Sequence, residues 1–236
     1  MTSIVKVLFA FLVVCGTLSV VCGTLSVVCG TLSGKVADAA DPADRPQRSG
    51  QSIGWRGDGS GQYPSANPVS KWTASDNVRW KTEVGAGQSS PIVVGTRVFI
   101  TSEPNVLVCL DAESGRELWR KAHQLADISP EAAAQGDRLS GQYGDATPTP
   151  VSDGKWLWFF LGQGIVACHD LEGNCRWVNW YDVRRTTRNG RTASPVLVNN
   201  RLLVHFGSLV CLDSATGKLL WQNDQARATY GTPAVA

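Results

Sequence analysis

The densest concentration of potential ligand chemistry in this sequence is a run of four guanidiniums, Arg184, Arg185, Arg188 and Arg191, with Gly190 able to turn the chain among them. Guanidinium groups present forked N–H donors that match carboxylate and phosphate oxygens, so the run is a candidate anion-binding loop. The competing reading is a solvated basic loop. Cys109, Cys168 and Cys211 each stand two residues before an aspartate. Such identical settings in successive units lie too far apart for the Cα spacing of about 6 Å that a disulfide needs, so these cysteines read as small buried packing residues. Cys175 could approach Cys168 only if strand register set them opposite. His123, His169 and His205 fall in dissimilar contexts, with His169 beside Asp170 reading as a strand-end surface residue. With no Cys-x-x-Cys and no His-Glu-x-x-His in the chain, no metal site is expected.

The elements that must position these groups come from a repeat. VLVCLDAESGRELW at Val106 to Trp119 recurs as IVACHDLEGNCRW at Ile165 to Trp177 and as LVCLDSATGKLLW at Leu209 to Trp221. A proline-led apolar run precedes each copy, from Ser90, Thr149 and Ser194. Short runs rich in Val, Leu, Phe and Trp between turn residues are the signature of strands. In the first unit four strands fit: Pro91 to Val94, Arg97 to Ser102, Val106 to Asp111 and Glu117 to Lys121. The links are too short for a crossover helix, so each unit is an antiparallel meander. Asp111, Asp170 and Asp213 each end a strand, and Gly115, Gly173 and Gly217 follow; Trp119, Trp177 and Trp221 lie four residues beyond these glycines. The carboxylate can accept the N–H groups of the turn it opens, and the glycine can take the positive φ that closes it. The tryptophan then reaches the outer strand, where its ring can cover the joint with a neighbouring unit. One small sheet cannot bury its own faces, so repetition implies units stacked against each other.

On these residues the chain resembles the PQQ-like β-propeller repeat proteins, whose hallmark is a tryptophan-docking motif, Ala-x-Asp-x-x-Thr-Gly-Lys-x-x-Trp. CLDSATGKLLW at Cys211 to Trp221 departs from it only at the first residue; CLDAESGRELW carries Ser and Arg substitutions, and CHDLEGNCRW is one residue short in the turn. The resemblance covers Trp55 to the C-terminus and implies an all-β fold: a β-propeller of four-stranded antiparallel blades, here a partial ring of about three blades plus two partial ones. NVRWKTEV, from Asn77 to Val84, is expected to supply an outer strand with Trp80 in the docking position. TYGTPAVA from Tyr230 matches the start of a further unit, so the chain is expected to be a fragment of a longer ring.

Residues 1–40 read as an export signal, with Lys6, a long apolar stretch that contains VVCGTLS three times, and Ala37-Asp38-Ala39 as a cleavage site. An uncleaved membrane anchor is the alternative. Residues 41–71 form a polar leader that includes Arg56-Gly57-Asp58, an integrin-type tripeptide that a glycine-rich turn also produces. The repeats occupy residues 72–236. Between Trp119 and Thr147 lies the longest insert, where Ser129, Pro130 and Glu131 predict a short capped helix. At 236 residues with a formal net charge of +2, the composition is globular and gives no general reason to expect binding to nucleic acid or to an acidic membrane.

Two functions follow from the resemblance. One is an exported, periplasmic or secreted propeller without catalysis that serves as a scaffold for a protein or polymer, similar to the propeller lipoprotein of the outer-membrane β-barrel assembly machinery. The other is a quinoprotein dehydrogenase that oxidises an alcohol or sugar with PQQ and calcium. The latter enzymes often stack adjacent paired cysteines on the quinone, and this sequence has no adjacent Cys pair. The repeat's own residues build blades, so the sequence favours the scaffold.

Overall fold

The computed structural model describes residues 54–135, 144–182, 191–228 and 230–234. The expected export signal, its cysteines and the start of the leader lie outside them, as do Arg184, Arg185 and Arg188. Three four-stranded sheets follow each other along the chain. The first holds β1 (Ile92–Val94), β2 (Arg97–Ser102), β3 (Val106–Asp111) and β4 (Glu117–Ala122). Two short helices follow, α1 (Leu125–Ile128) and α2 (Pro130–Gln135). The second sheet holds β5 (Val151–Ser152), β6 (Trp156–Leu161), β7 (Ile165–Asp170) and β8 (Cys175–Trp180). The third holds β9 (Val196–Val198), β10 (Arg201–His205), β11 (Leu209–Asp213) and β12 (Leu219–Asn223). Every strand pairs antiparallel with its chain neighbours only, so each unit is the meander that the link lengths require.

The inner edges of the blades are tied by one repeated device. The Ser90 N–H donates to Thr149 Oγ1 at 3.1 Å, the Thr149 N–H to Ser194 Oγ at 3.0 Å, and the Ser194 N–H to Thr232 Oγ1 at 3.0 Å. Each of these residues precedes a proline. Proline brings no N–H of its own and holds the residue before it extended, which leaves the preceding amide to bridge outward to the next blade.

Packing between blades explains why the strands read as nearly continuous apolar runs. Along β6, Leu157, Phe159 and Leu161 face the first blade beside Ile92, Phe99 and Leu107. The alternate residues Trp158 and Phe160 face the third blade beside Leu202, Val204 and Leu212. Both faces of the second blade are covered, so neither strand face needs polar residues.

The Asp–Gly turns adopt the expected geometry. Asp111 Oδ1 accepts from the Ser114 N–H at 2.7 Å, Asp170 Oδ1 from the Asn174 N–H at 2.8 Å, and Asp213 Oδ1 from the Thr216 N–H at 2.9 Å. Gly115, Gly173 and Gly217 have φ of 71°, 90° and 72°. Each turn is also the seat for the tryptophan of the preceding unit. Trp80 Nε1 donates to Ala112 O at 3.0 Å, Trp119 Nε1 to Leu171 O at 3.2 Å, and Trp177 Nε1 to Ser214 O at 3.0 Å. In all three cases the acceptor is the carbonyl of the residue after the turn aspartate, and the ring lies on the turn glycine. Residues two places beyond the tryptophan reach the same glycine: Thr82 Oγ1 donates to Gly115 O at 2.6 Å and Asn179 Nδ2 to Gly217 O at 3.2 Å. Trp221 occupies the fourth such position and is 40% exposed.

Two expectations need correction. Asn77 to Val84 forms no strand, because no neighbouring strand offers it a ladder; it is held instead by the Trp80 docking, by Thr82 on the Gly115 carbonyl and by the Arg79–Glu113 ion pair. The insert holds α1 in addition to the expected α2, whose Ser129 Oγ accepts the Ala132 N–H at 2.9 Å. Leu125 of α1 and Ala132 of α2 are buried in the joint between the first and second blades, so the insert packs there. In the leader, Arg56-Gly57-Asp58 forms a tight turn: the Gly57 N–H donates to Gly54 O at 3.1 Å, and Gly54 lies against Val151. No helix among the described residues is long and apolar enough to cross a membrane.

Candidate functional site

A meander sends its β2–β3 and β6–β7 links to one end of the blades, together with the links that join blade to blade. The Asp–Gly turns lie at the other end, consumed by the tryptophan joints. At the first end the links meet in a buried polar seam. Glu103 Oε1 accepts the N–H groups of Asp145 and Ala146 at 2.6 and 2.7 Å. Asn105 Nδ2 donates to Gln163 Oε1 at 3.1 Å, and Arg191 Nη1 donates to Gly162 O at 3.1 Å. The Gly162 N–H in turn donates to Asp145 O at 2.9 Å. Asp145, Asn105 and Arg191 are all buried. Burial pushes the Glu103 carboxyl upward, the two backbone N–H groups hold it down in part, and the neighbouring Asp145 raises it further.

Glu103 Oε2 and Asn105 Oδ1 are buried with no hydrogen-bond partner among the described residues. Such acceptors are costly to leave unmet, so the seam is built to receive donors, from water or from a ligand's N–H or O–H groups. Calcium takes about six to eight oxygen ligands, and the described residues gather no group of three His, Cys, Asp or Glu side chains suited to a metal. The residues described do not fit the calcium that would accompany PQQ.

Of the four arginines read as an anion loop, Arg191 is within the described residues; it is 5% exposed, and its guanidinium is engaged with the Gly162 carbonyl. It organises the seam from the link that follows β8. The three others lie outside the described residues.

The repeat cysteines behave as packing residues. Cys109, Cys168 and Cys211 are buried, and each pairs in register with the tryptophan of its own unit: Trp119, Trp177 and Trp221. Directly opposed residues share a sheet face, so a small side chain stands where a large ring must lie. The register bulge follows immediately in all three sheets. Cys168 therefore faces Trp177, and Cys175 faces His169. Burial pushes the Cys109 and Cys168 thiols up to about 12. Iodoacetamide at pH 8 is expected to label the exposed Cys175 in the native state and to spare Cys109, Cys168 and Cys211 until urea is added; equal labelling of all four in peptide mass spectra would contradict this packing.

The histidines depart from expectation. His169 is not a strand-end surface residue: it is 1% exposed, and its Nε2 lies 3.1 Å from Nε2 of His123. The two were expected in unrelated contexts, and the fold joins them across the first and second blades. A sequence signal existed for the burial. His169 occupies the repeat position held by Leu110 and Leu212, both of which are buried against the preceding unit. His205 is also buried, with Nε2 at 2.9 Å from Ala226 O and 3.1 Å from the Ala228 N–H.

The meanders, the Asp–Gly turns and the tryptophan seats define the class of this chain: four-stranded antiparallel blades of the β-propeller type, similar to PQQ-like repeats. Within that class it is similar to the outer membrane protein assembly factor BamB, the description of the family model that matches residues 162–236. It is 26% identical over 144 residues to the outer membrane protein assembly factor BamB of Moranella endobia (strain PCIT), a match covering 56% of this chain and 31% of that protein. It is 28% identical over 147 residues to the polyvinylalcohol dehydrogenase of Sphingopyxis sp. (strain 113P3), covering 58% of this chain and 22% of that protein. The crystal structure of BamB from Moraxella catarrhalis aligns with a TM-score of 0.41 at 18% identity, over 60% of this chain and 37% of that one. The matches thus span less than a third of the length of these curated relatives.

Proposed function

We propose that this chain serves outside the cytoplasm as a non-catalytic propeller scaffold that binds a protein partner through the end of the blades that carries the non-repeating links. The observation that carries this reading is the division of labour between the two ends. The Asp–Gly turns are occupied by tryptophans and their carbonyls by indole N–H groups, whereas the opposite end presents the α1–α2 insert and a seam with unmet acceptors. Similarity to an outer membrane protein assembly factor supports a protein as the partner. Similarity to a polyvinylalcohol dehydrogenase supports a second reading, a quinoprotein oxidising an alcohol polymer with PQQ and calcium.

The full chain separates the two when titrated with PQQ and calcium. A scaffold shows no rise in Tm and no dye-coupled oxidation of polyvinyl alcohol; a rise of several degrees through binding linkage, with dye reduction, would replace the scaffold by the quinoprotein. Photo-crosslinkers placed at Gln124 and Glu131 should capture outer-membrane assembly proteins in an intact cell, while one at Glu113 in an Asp–Gly turn should not. Capture only from Glu113 would put the binding end on the wrong side.

A further inference from the structure

We propose that His123 and His169 form an acid-sensitive latch that holds the first blade to the second at neutral pH and loosens the root of the α1–α2 insert when the surroundings acidify. The two Nε2 atoms face each other at 3.1 Å, with the rings at 86°. A contact of that kind holds one hydrogen: one nitrogen donates, the other accepts, and the accepting ring must be neutral. Phe159 of β6 flanks both rings, with centroids 5.4 Å from His123 and 5.5 Å from His169. Protonation of the acceptor sets two N–H groups against each other in an apolar joint and abolishes the bond.

The surrounding charges reinforce this. Lys121 on β4 adds positive charge, and Cys175 stands opposite His169 on β8. Among the described residues, the Gly173 backbone and Asp170 on β7 act in the opposite sense on His169, and the Asp170 carboxylate is engaged with Asn174. Burial first, then the charge of His123, lower His169 to about 4, and burial lowers His123 as well. A depressed folded value means that the neutral ring contributes stability above the unfolded value of about 6.5. That stability is lost as pH falls through the folded value.

The latch sits where it can be felt. The His123 N–H donates to Asn105 O at 2.9 Å, and the insert begins directly after it, with Leu125 buried in the same joint. The next joint solves the same problem without titration. There Leu212 replaces His169, and Tyr181 replaces His123, its ring stacked on Phe206 and its hydroxyl donating to Gly217 O.

This second joint supplies the test, the double variant H123Y/H169L. Urea unfolding of the full chain should show the unfolding constant of the wild type rising roughly a hundredfold between pH 7 and pH 4 beyond that of the variant. Between pH 6.5 and 4.5 the wild type should also lose amide protection, corrected for intrinsic exchange, at residues 105–109 and 123–132, and the variant should not. The lowered carboxylates Asp111, Asp170 and Asp213 lose their contribution at lower pH in both proteins, and the raised Glu103 works in the opposite sense in both. Parallel pH curves for wild type and variant would overturn the latch. Should the double variant fail to fold, His169→Gln keeps a hydrogen-bonding partner for His123 but cannot titrate; a flattened curve supports the latch and an unchanged one removes it.

Discussion

Trp119→Ala and Trp177→Ala are each expected to destabilise the chain by about 3 kcal/mol or more, in the range seen when a large aromatic side chain is deleted from a packed site. Trp221→Ala, at the same repeat position, is expected to cost under about 1 kcal/mol. The difference rests on the seats. The rings of Trp119 and Trp177 lie on Gly173 and Gly217 and donate to the carbonyls of Leu171 and Ser214. Removing either opens a void in an interblade core and takes one of two donors from a turn carbonyl, since Arg97 also donates to Leu171 O and Trp158 Nε1 to Ser214 O at 2.8 Å. Trp221 is 40% exposed, as are its neighbours Leu219 and Leu220 at 48% and 47%, so its truncation empties no seat. Urea unfolding followed by far-UV circular dichroism measures all three; equal losses would mean that the docking seats do not hold the blades together.

Gly217→Ala should cost about 2–4 kcal/mol, against about 1 kcal/mol for Gly95→Ala. Both glycines have positive φ, 72° and 60°, so both variants carry the left-handed backbone penalty. A Cβ at Gly95 meets nothing within 4 Å, whereas one at Gly217 stands closest to Asn179 Nδ2 and 2.6 Å from Trp177 Cε3. Only Gly217→Ala therefore has to displace an indole from its seat and the Asn179 amide beside it. In the Trp177→Ala background the excess cost of Gly217→Ala should shrink, because contacting sites are not additive, with the Asn179 contact accounting for what is left. Persistence of the full cost in that background would assign the effect to the turn and the Asn179 contact and not to the indole.

These two experiments address the part of the molecule that was most legible in the sequence. The strand limits in the first unit agree with expectation to within one residue at each end. The reason is local. Asp111, Gly115 and Trp119 are set by turn chemistry and by a spacing that three copies repeat, and each copy constrains the reading of the others. The capped helix from Pro130 was legible for the same reason, since Ser129 acts only three residues away.

What failed was nonlocal. His169 looked polar and therefore superficial, although Leu110 and Leu212 at its repeat position argued for burial. His123 carries no local mark at all, and only the seating of one blade on another brings its Nε2 to 3.1 Å from that of His169. Arg191 belongs to a basic run in the sequence, but the fold commits it to the Gly162 carbonyl. Glu103 lay in a hairpin link with no motif around it, and its two N–H donors come from residues 42 and 43 positions away.

The blade is legible from local sequence, because hydrogen bonds between adjacent strands and turn conformations depend on neighbours in the chain. The tertiary structure alone decided the polar seam and the histidine pair. Their members come from separate blades, and the free energy that makes a buried acceptor or imidazole consequential arises only when stacking removes it from water.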